Sequence, residues 1–494
     1  MSDTFSVIKQ KALRGVFTLT FRRLLLKVID TVGIIYLARL LPQESFGVFA
    51  IISFVVFTFL SFFSDVGLGA ALIQKEKIEE DDLKTTFTVQ QILVTVLLVL
   101  AFFTAAPLSN FYNLGDEGVW LIRMLSLSLF ITSFKTIPSI LLERDLRFEL
   151  LVIPEVIETI TYNTVAVVMA TNGYGVWSLV VAVVARTTLG AIALSFIKPW
   201  PIGYKLAKKS IHDLLHFGIP YQLNSVLALL KDNLAPTVIA LWYGPAAVAY
   251  VNLAQNISSR PLELSTIVSR ITFPTYSRIQ GDTARLKSWI EKSIHLMAVL
   301  YFPAIIGLLV TAQPLLMYLY ADKSDKWLPA LTTLIFFLLS AVPVFITTTY
   351  TNALYALGRP KVVLRLMVLY TALTWAIGLP LIRWVGYSGI AITVAAITYI
   401  TIPLVIHEIN KIVKLETWGM VKRPLIASLI MGSITYFGVT YYVTGLMTLV
   451  LTILLAIALY CVLIYFFDRE MLKAELGKVW HTLKDSATIR SYDQ

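Results

Sequence analysis

Ten Lys and Arg side chains sit inside or beside long apolar runs, where a chain embedded in hydrocarbon can least accommodate them: Arg22, Arg23, Lys27, Arg39, Arg123, Lys135, Arg186, Lys231, Arg260 and Arg270. A charge at bilayer depth costs at least about 2.5–3.5 kcal/mol on insertion scales, so each must face protein, water or a counter-ion. Their spacing groups them. Arg23, Lys27 and Asp30 stand at i, i+4 and i+7 and share one helix face, while Arg260, Glu263 and Arg270 fall close to one face at i, i+3 and i+10. Lys231 and Asp232 are adjacent in mid-run, Arg186 is also in mid-run, and Glu155 and Glu158 share a face of their own. Cations in this pattern suit a phosphate-bearing ligand, because Arg grips phosphate oxygens in a fork and Lys acts as a point charge. Arg23, Lys27, Arg186, Lys231, Arg260 and Arg270 are therefore the expected substrate-binding residues. Asp30, Asp232 and Glu263 are expected to balance those charges or to couple an ion. The competing reading is a set of internal ion pairs that only fixes helix packing. Residues near run ends, such as Arg22, Arg39, Arg123, Lys135 and Arg270, are expected to reach for the bilayer surface.

Signals for catalysis are weak. His212 and His216 are spaced i, i+4, but no acid or third ligand accompanies them, and the five histidines form no ligand set. The GLGAAL stretch at 67–72 lacks the third glycine of a dinucleotide loop and lies in an apolar run; no Walker sequence is present. The acidic run Glu79–Asp82 reads as a solvated loop. A single cysteine, Cys461, excludes an internal disulfide and a cysteine-based metal cluster. The expectation is a protein with no catalytic residue, no metal and no cofactor.

The elements that position these charges must be membrane helices. Of 494 residues, 57% are hydrophobic and 14% charged, against roughly 25% charged in a soluble domain. The apolar residues gather in blocks of about 20, the length that crosses a hydrocarbon core. Spans are expected near 15–41, 47–72, 87–108, 118–141, 150–171, 175–197, 217–242, 247–274, 289–312, 328–354, 362–382, 387–408, 424–442 and 446–467, the eighth and tenth long enough to bend. The first block is broken by Arg22, Arg23, Lys27 and Asp30, unlike the apolar core of a cleavable signal. Every second loop is basic: twenty-eight of the 41 Lys and Arg fall on one side, and the opposite loops hold only Lys323, Lys326 and Arg383. Short basic loops stay in the cytoplasm. Both termini are thus expected there, the span count is even, and the net charge of +11 needs no nucleic acid to explain it.

The segment 30–49 (DTVGIIYLARLLPQESFGVF) parallels 232–251 (DNLAPTVIALWYGPAAVAYV): a membrane acid, an apolar run, a tight outer turn, then small residues. Internal repeats with a site at their interface are a recurrent transporter design. The expected fold is an all-α membrane protein of about 14 transmembrane helices. Two pseudo-symmetric six-helix bundles, 1–205 and 206–415, would surround a central cavity. Two added helices would follow over 416–467 and a cytoplasmic tail over 468–494. Prolines at 154, 236, 261, 303, 343 and 380 offer kinks or hinges, Pro261 beside Arg260 above all. Outer loops such as 42–45, 171–174 and 243–246 leave no external domain to polymerise or ligate sugars.

The segments LARLLPQESFGVFA (37–50), FSDVGLGAALIQ (63–74), NGYGVWSLV (172–180), FPTYSRIQGD (273–282) and NALYALGRPK (352–361) carry a resemblance over nearly the whole chain. It resembles the polysaccharide transporter branch, the Wzx-like O-antigen or lipopolysaccharide flippases, of the multidrug/oligosaccharidyl-lipid/polysaccharide exporter superfamily, and within it the colanic-acid-exporter type. The resemblance implies two bundles arranged as a V and transfer of an undecaprenyl-diphosphate-linked oligosaccharide to the outer leaflet of the bacterial inner membrane. It implies alternating access driven by an ion gradient or the membrane potential, with membrane lipids, a polysaccharide polymerase and other glycan-assembly proteins as partners. It transfers no residue-by-residue signature. A drug/cation antiporter of the same superfamily should favour acidic rather than cation-rich sites. A glycan polymerase should carry a large outer loop. A non-transporting scaffold should tolerate loss of the buried charges.

Overall fold

The computed structural model describes residues 26–56, 72, 78–145, 147, 150–263, 272, 276, 279, 281–320 and 325–468, with the side chains of 144, 209, 212–235 and 360 excepted. The described elements are helices: α1 (26–40), α2 (Gln43–Ser53), α3 (Glu80–Phe111), α4 (Gly115–Arg144), α5 (Val152–Thr171), α6 (Trp177–Ile197), α7 (Lys208–Ser259), α8 (Thr283–Pro314), α9 (Leu331–Ala341), α10 (Val344–Ala356), α11 (Pro360–Val385), α12 (Gly389–Asn410), α13 (Thr417–Tyr442) and α14 (Leu446–Phe467). Hydrocarbon offers no water to a backbone amide, so every spanning segment must satisfy its own groups, which a helix does. Hydroxyls obey the same rule. Thr311 donates to the Gly307 carbonyl at 2.7 Å, Thr393 to Gly389 at 2.7 Å, and Ser428 to Pro424 at 2.7 Å.

Ten of the described segments are long and apolar enough to cross a membrane: nine coincide with the expected third to sixth, ninth and eleventh to fourteenth spans, and Pro236–Ser259 straddles the expected seventh and eighth, which run together in α7. The tenth expected span is the pair Leu328–Ala341 and Val344–Ala356, bent by 41°. Pro343 sits at that break, where a missing N–H and a bulky ring interrupt the backbone ladder. The first, second and eighth expected spans fall partly on residues outside the description, as do most side chains of the seventh. All-helical, multi-span architecture is therefore as expected. Within α7, Gly244 leaves the helix with φ 78°. That left-handed conformation is open to glycine and strained for other residues, so the tight outer turn expected at 243–246 centres on it.

Two compact units divide the chain, Met1–Ala249 and Tyr250–Gln494. In the first, α2, α3, α4 and α6 share an apolar core built from Ile52, Val94, Ala101, Leu121, Leu125 and Val180. Leu37, Leu41, Ala166, Leu179 and Ala182 join α1, α5 and α6. The acidic run Glu79–Asp82 does more than solvate a loop. Glu79 N–H donates to Asp82 Oδ2 at 3.0 Å, and the acids of the first turn of α3 lie against the positive end of its dipole. Asp82 is buried and also accepts from Ser210 Oγ at 2.7 Å. The extended segment between α6 and α7 is strapped to the same helix start. Lys205 N–H donates to Thr88 Oγ1, Ala207 N–H donates to Thr85 Oγ1, and Lys205 Nζ pairs with Asp81 at 2.6 Å. In the second unit the core is aromatic, with Tyr301 and Phe302 packed on Phe345, and Tyr250 on Trp327 and Tyr387.

Candidate functional site

The first unit gathers its membrane charges on the facing sides of α1, α5 and α6. Asp30 of α1 accepts from Asn163 Nδ2 of α5 at 3.2 Å, and the same amide nitrogen donates to the Thr159 carbonyl at 2.9 Å. Beside Asn163 on α5, Tyr162 presents its ring to Arg186 of α6, whose guanidinium carbon lies 5.0 Å from the ring centroid. Both Asp30 and Arg186 act electrostatically on Tyr162, which places a carboxylate and a guanidinium around one phenol. Lys27 is three residues before Asp30 on α1, and its carbonyl accepts from Thr31 Oγ1 at 2.7 Å. Lys27, Asp30, Tyr162, Asn163 and Arg186 are all half-buried, so the cluster is neither sealed nor fully exposed.

Two glycines set how closely the helices approach. A Cβ on Gly33 would lie 1.6 Å from Asn163 Oδ1, so α1 reaches Asp30's partner only because residue 33 has no side chain. A Cβ on Gly190, one turn along α6 from Arg186, would lie 1.8 Å from Glu158 Oε1. Glu158 in turn forms an ion pair with Lys135 of α4, the two side chains 22% and 20% exposed. Lys135, expected to reach for the bilayer surface, is instead held in the protein by a carboxylate within range. Arg123 is anchored too. Its Nε donates to the Phe102 carbonyl at 3.2 Å, and its guanidinium stacks 3.9 Å from the Phe102 centroid.

In the second unit, α7 stops at Ser259 and Arg260–Pro261 forms a turn. Arg260 N–H reaches back to the Ile257 carbonyl at 3.3 Å, and Glu263 N–H donates to Arg260 at 3.2 Å. Arg260 Nη1 pairs with Glu263 Oε1 at 3.5 Å, and their side chains are 32% and 51% exposed. The i, i+3 spacing read from the sequence thus becomes an ion pair at a proline break. Arg23 and Arg270 lie outside the described residues, as do the side chains of Lys231 and Asp232, although the α7 backbone that carries the latter two is helical.

Of the expected site residues, Asp30 and Arg186 are brought together around Tyr162, with Lys27 a turn away; Arg260 and Glu263 form their own pair. The connecting groups Tyr162, Asn163, Glu158 and Lys135 were not among the expected site residues. A signal existed, because α5 is an apolar 20-residue helix that still carries Glu158, Tyr162 and Asn163 on adjoining positions. Chemically, the cluster offers two cations to an anionic headgroup and one carboxylate, oriented by an amide, to a cation or proton. No group of three or more His, Cys, Asp or Glu is placed to hold a metal ion among the described residues.

The sequence profile of a family described as "Polysaccharide biosynthesis protein" matches residues 36–332. An uncharacterized membrane protein in the cps region of Klebsiella pneumoniae is 27% identical over 338 residues, 66% of this chain and 67% of that protein. The lipopolysaccharide biosynthesis protein WzxC of Escherichia coli strain K12 is 25% identical over 338 residues, with the same coverage of both chains. Among solved structures, the lipid II flippase MurJ in an inward closed conformation superposes with a TM-score of 0.75 at 17% identity, covering 92% of this chain and 100% of that one. That likeness shows a shared fold.

Proposed function

The chain belongs to the polysaccharide biosynthesis protein family, and on that premise we propose that it flips an undecaprenyl-diphosphate-linked oligosaccharide from the cytoplasmic to the outer leaflet of a bacterial inner membrane. The relatives' names and the flippase fold support the substrate class, and the basic loops support termini in the cytoplasm. We take 1–205 and 206–415 as the two repeats, 416–467 as an added helix pair and 468–494 as the tail. Alternating access is the mechanism this fold suggests, with a polysaccharide polymerase and other glycan-assembly proteins as neighbours.

The observation that carries the reading is the half-buried pair Asp30 and Arg186, held by the neighbouring Asn163 and Tyr162 of α5, with Lys27 one turn from Asp30 on α1. A diphosphate leaving water loses its hydration, and only fixed cations and donors can replace it. Arg186 and Lys27 supply that charge without being buried past reach, and Arg260 supplies it from the second unit. Asp30 balances the cations or takes the coupling ion, the part we also assign to Glu263 and Asp232; Arg23, Lys231 and Arg270 complete the proposed cation set.

The test is export in a strain deleted for the gene and complemented with Arg186→Ala, Lys27→Ala or Arg260→Ala at matched abundance in the membrane. Lipid-linked oligosaccharide should accumulate on the cytoplasmic side. Wild-type export from all three variants would remove the cation role. The antiporter reading draws on the Asp30–Asn163 contact, which could hold a cation. It predicts a drug-sensitive deletion strain with unaltered surface glycan.

A further inference from the structure

A cavity of about 380 Å³ lies against α3 in the first unit, apart from the charged cluster. Thr88, Gln91 and Thr95 line it at i, i+3 and i+7, so a membrane-length helix turns a polar face into it. Ile92 and Val96 flank that face and are 50% and 52% exposed, so the cavity opens sideways where α3 meets lipid. Phe130 of α4 forms another wall, and Tyr204 lies at the end nearest the start of α3. Gln91 is 6% exposed, and its Nε2 donates to Ser133 Oγ of α4 at 2.7 Å. Its Oε1 accepts nothing among the described residues, which leaves an unmade hydrogen bond at the edge of hydrocarbon. The Thr95 hydroxyl is also unbonded among the described residues. Thr88 and Thr104 of the same helix donate to carbonyls four residues back, each at 2.7 Å. The lysines flanking Thr88 and Tyr204 are already matched by acids, Lys84 with Glu80 at 2.5 Å and Lys205 with Asp81 at 2.6 Å.

We propose that this cavity binds one phosphatidylethanolamine molecule from the leaflet beside the 198–207 segment. Its ammonium donates to Gln91 Oε1, and Thr95 donates to an acyl ester carbonyl. The two residues are about 6 Å apart along the helix axis, a spacing that one lipid bridges from headgroup to ester. The volume suits a headgroup and glycerol, which leaves the chains in the bilayer along Ile92 and Val96. The depth agrees as well. Trp200 and Tyr204 pack on Phe87 with ring centroids 5.2 and 5.7 Å away, and amphipathic rings of this kind sit at headgroup level. Gln91 is one helical turn past Phe87, just below that level. A choline headgroup has no N–H to give Gln91. An anionic glycerol headgroup finds the flanking lysines already paired. A net-neutral headgroup with a donor meets both conditions. The site needs no assumption about what the chain transports.

Native mass spectrometry of the full chain, released from detergent micelles, tests the site. Phosphatidylethanolamine, phosphatidylcholine and phosphatidylglycerol with identical chains compete at equal concentration. The wild type should retain one phosphatidylethanolamine about tenfold more than either rival, the discrimination of one hydrogen bond from a charged donor. Thr95→Val breaks no hydrogen bond among the described residues and should retain that lipid roughly three- to tenfold less. Gln91→Leu should hold the ethanolamine and choline lipids alike. Equal retention of all three lipids by the wild type overturns the proposal, and so does a preference for phosphatidylglycerol, which marks a site for negative charge. Undiminished retention in Thr95→Val also overturns it, because the lipid then sits elsewhere. The wild type and Thr95→Val decide between them, so a Gln91→Leu protein that fails to fold leaves the test standing.

Discussion

Two polar clusters, one in each unit, set an acid among basic side chains to opposite ends. Around Asp468 an acid, a histidine and an arginine are drawn together until the acid has no accessible surface. Around Tyr162 an acid, an arginine and a lysine are held apart by a ring and an amide, and every member stays half-buried. Direct pairing spends a charge on structure. Indirect tethering leaves it available, because Arg186 leans on a ring face that is far from full compensation for a cation. Enclosure, not residue type, separates a structural cluster from a candidate site.

Removing the sealed carboxylate should give the largest effect. Asp468→Ala strands the buried His295 Nε2 and removes the counter-charge of the half-exposed Arg423, and leaving a buried polar group without a partner costs about 1–3 kcal/mol. The expected result is a marked fall in thermal stability in detergent. A near-normal melting temperature would place Asp468 with the open cluster and erase the contrast.

Next come the glycines that let the first unit's helices touch. Gly190→Ala forces Glu158 off its position beside Lys135, and overpacking of this kind costs about 1–3 kcal/mol. Gly33→Ala displaces Asn163 from Asp30 in the same way. Both should lose stability and export together, read by melting temperature and surface glycan in parallel. Export lost at full stability from Gly33→Ala would mean that Asn163 serves transport alone.

Arg186→Ala should invert that pattern. The cation–π contact is worth about 0.5–2 kcal/mol, so the protein should remain folded. A charge-assisted phosphate contact is worth about 1.5–3 kcal/mol, so export should fall roughly ten- to a hundredfold. Arg186→Lys keeps the charge but not the fork and should recover part of it. Stability lost in step with export would make Arg186 a packing residue, as the competing ion-pair reading holds.

How much of this the sequence could tell depends on the range of the signal. Blocks of apolar residues and alternating basic loops fix the spans, since bilayer thickness and the translocation rule act on local composition. The break at Pro343 and the Arg260–Glu263 pair were legible because proline chemistry and i, i+3 spacing are local too. The partners across helices were not. Nothing near Lys135 in sequence announces Glu158, twenty-three residues away and on the next helix. His295 and Asp468 are farther apart still, and His295 looked like one histidine of five without a ligand set. Single-chain spacing can say that a buried charge must be compensated, but only packing says by what.

The smallest expected effect bears most directly on the open cluster. Tyr162 could act through its ring, by holding the Arg186 guanidinium, or through its hydroxyl, by touching the substrate. Among the described residues the hydroxyl makes no hydrogen bond, whereas the ring lies under the guanidinium at 5.0 Å. Tyr162→Phe preserves the ring face and should leave export within about twofold of wild type. Tyr162→Leu removes it and should reduce export toward the level of Arg186→Ala, with membrane abundance unchanged. If Tyr162→Phe instead abolishes export in a folded protein, the hydroxyl must meet the substrate itself. The phenol would then be a binding group, and the open cluster would reach closer to the transported headgroup than its two cations indicate.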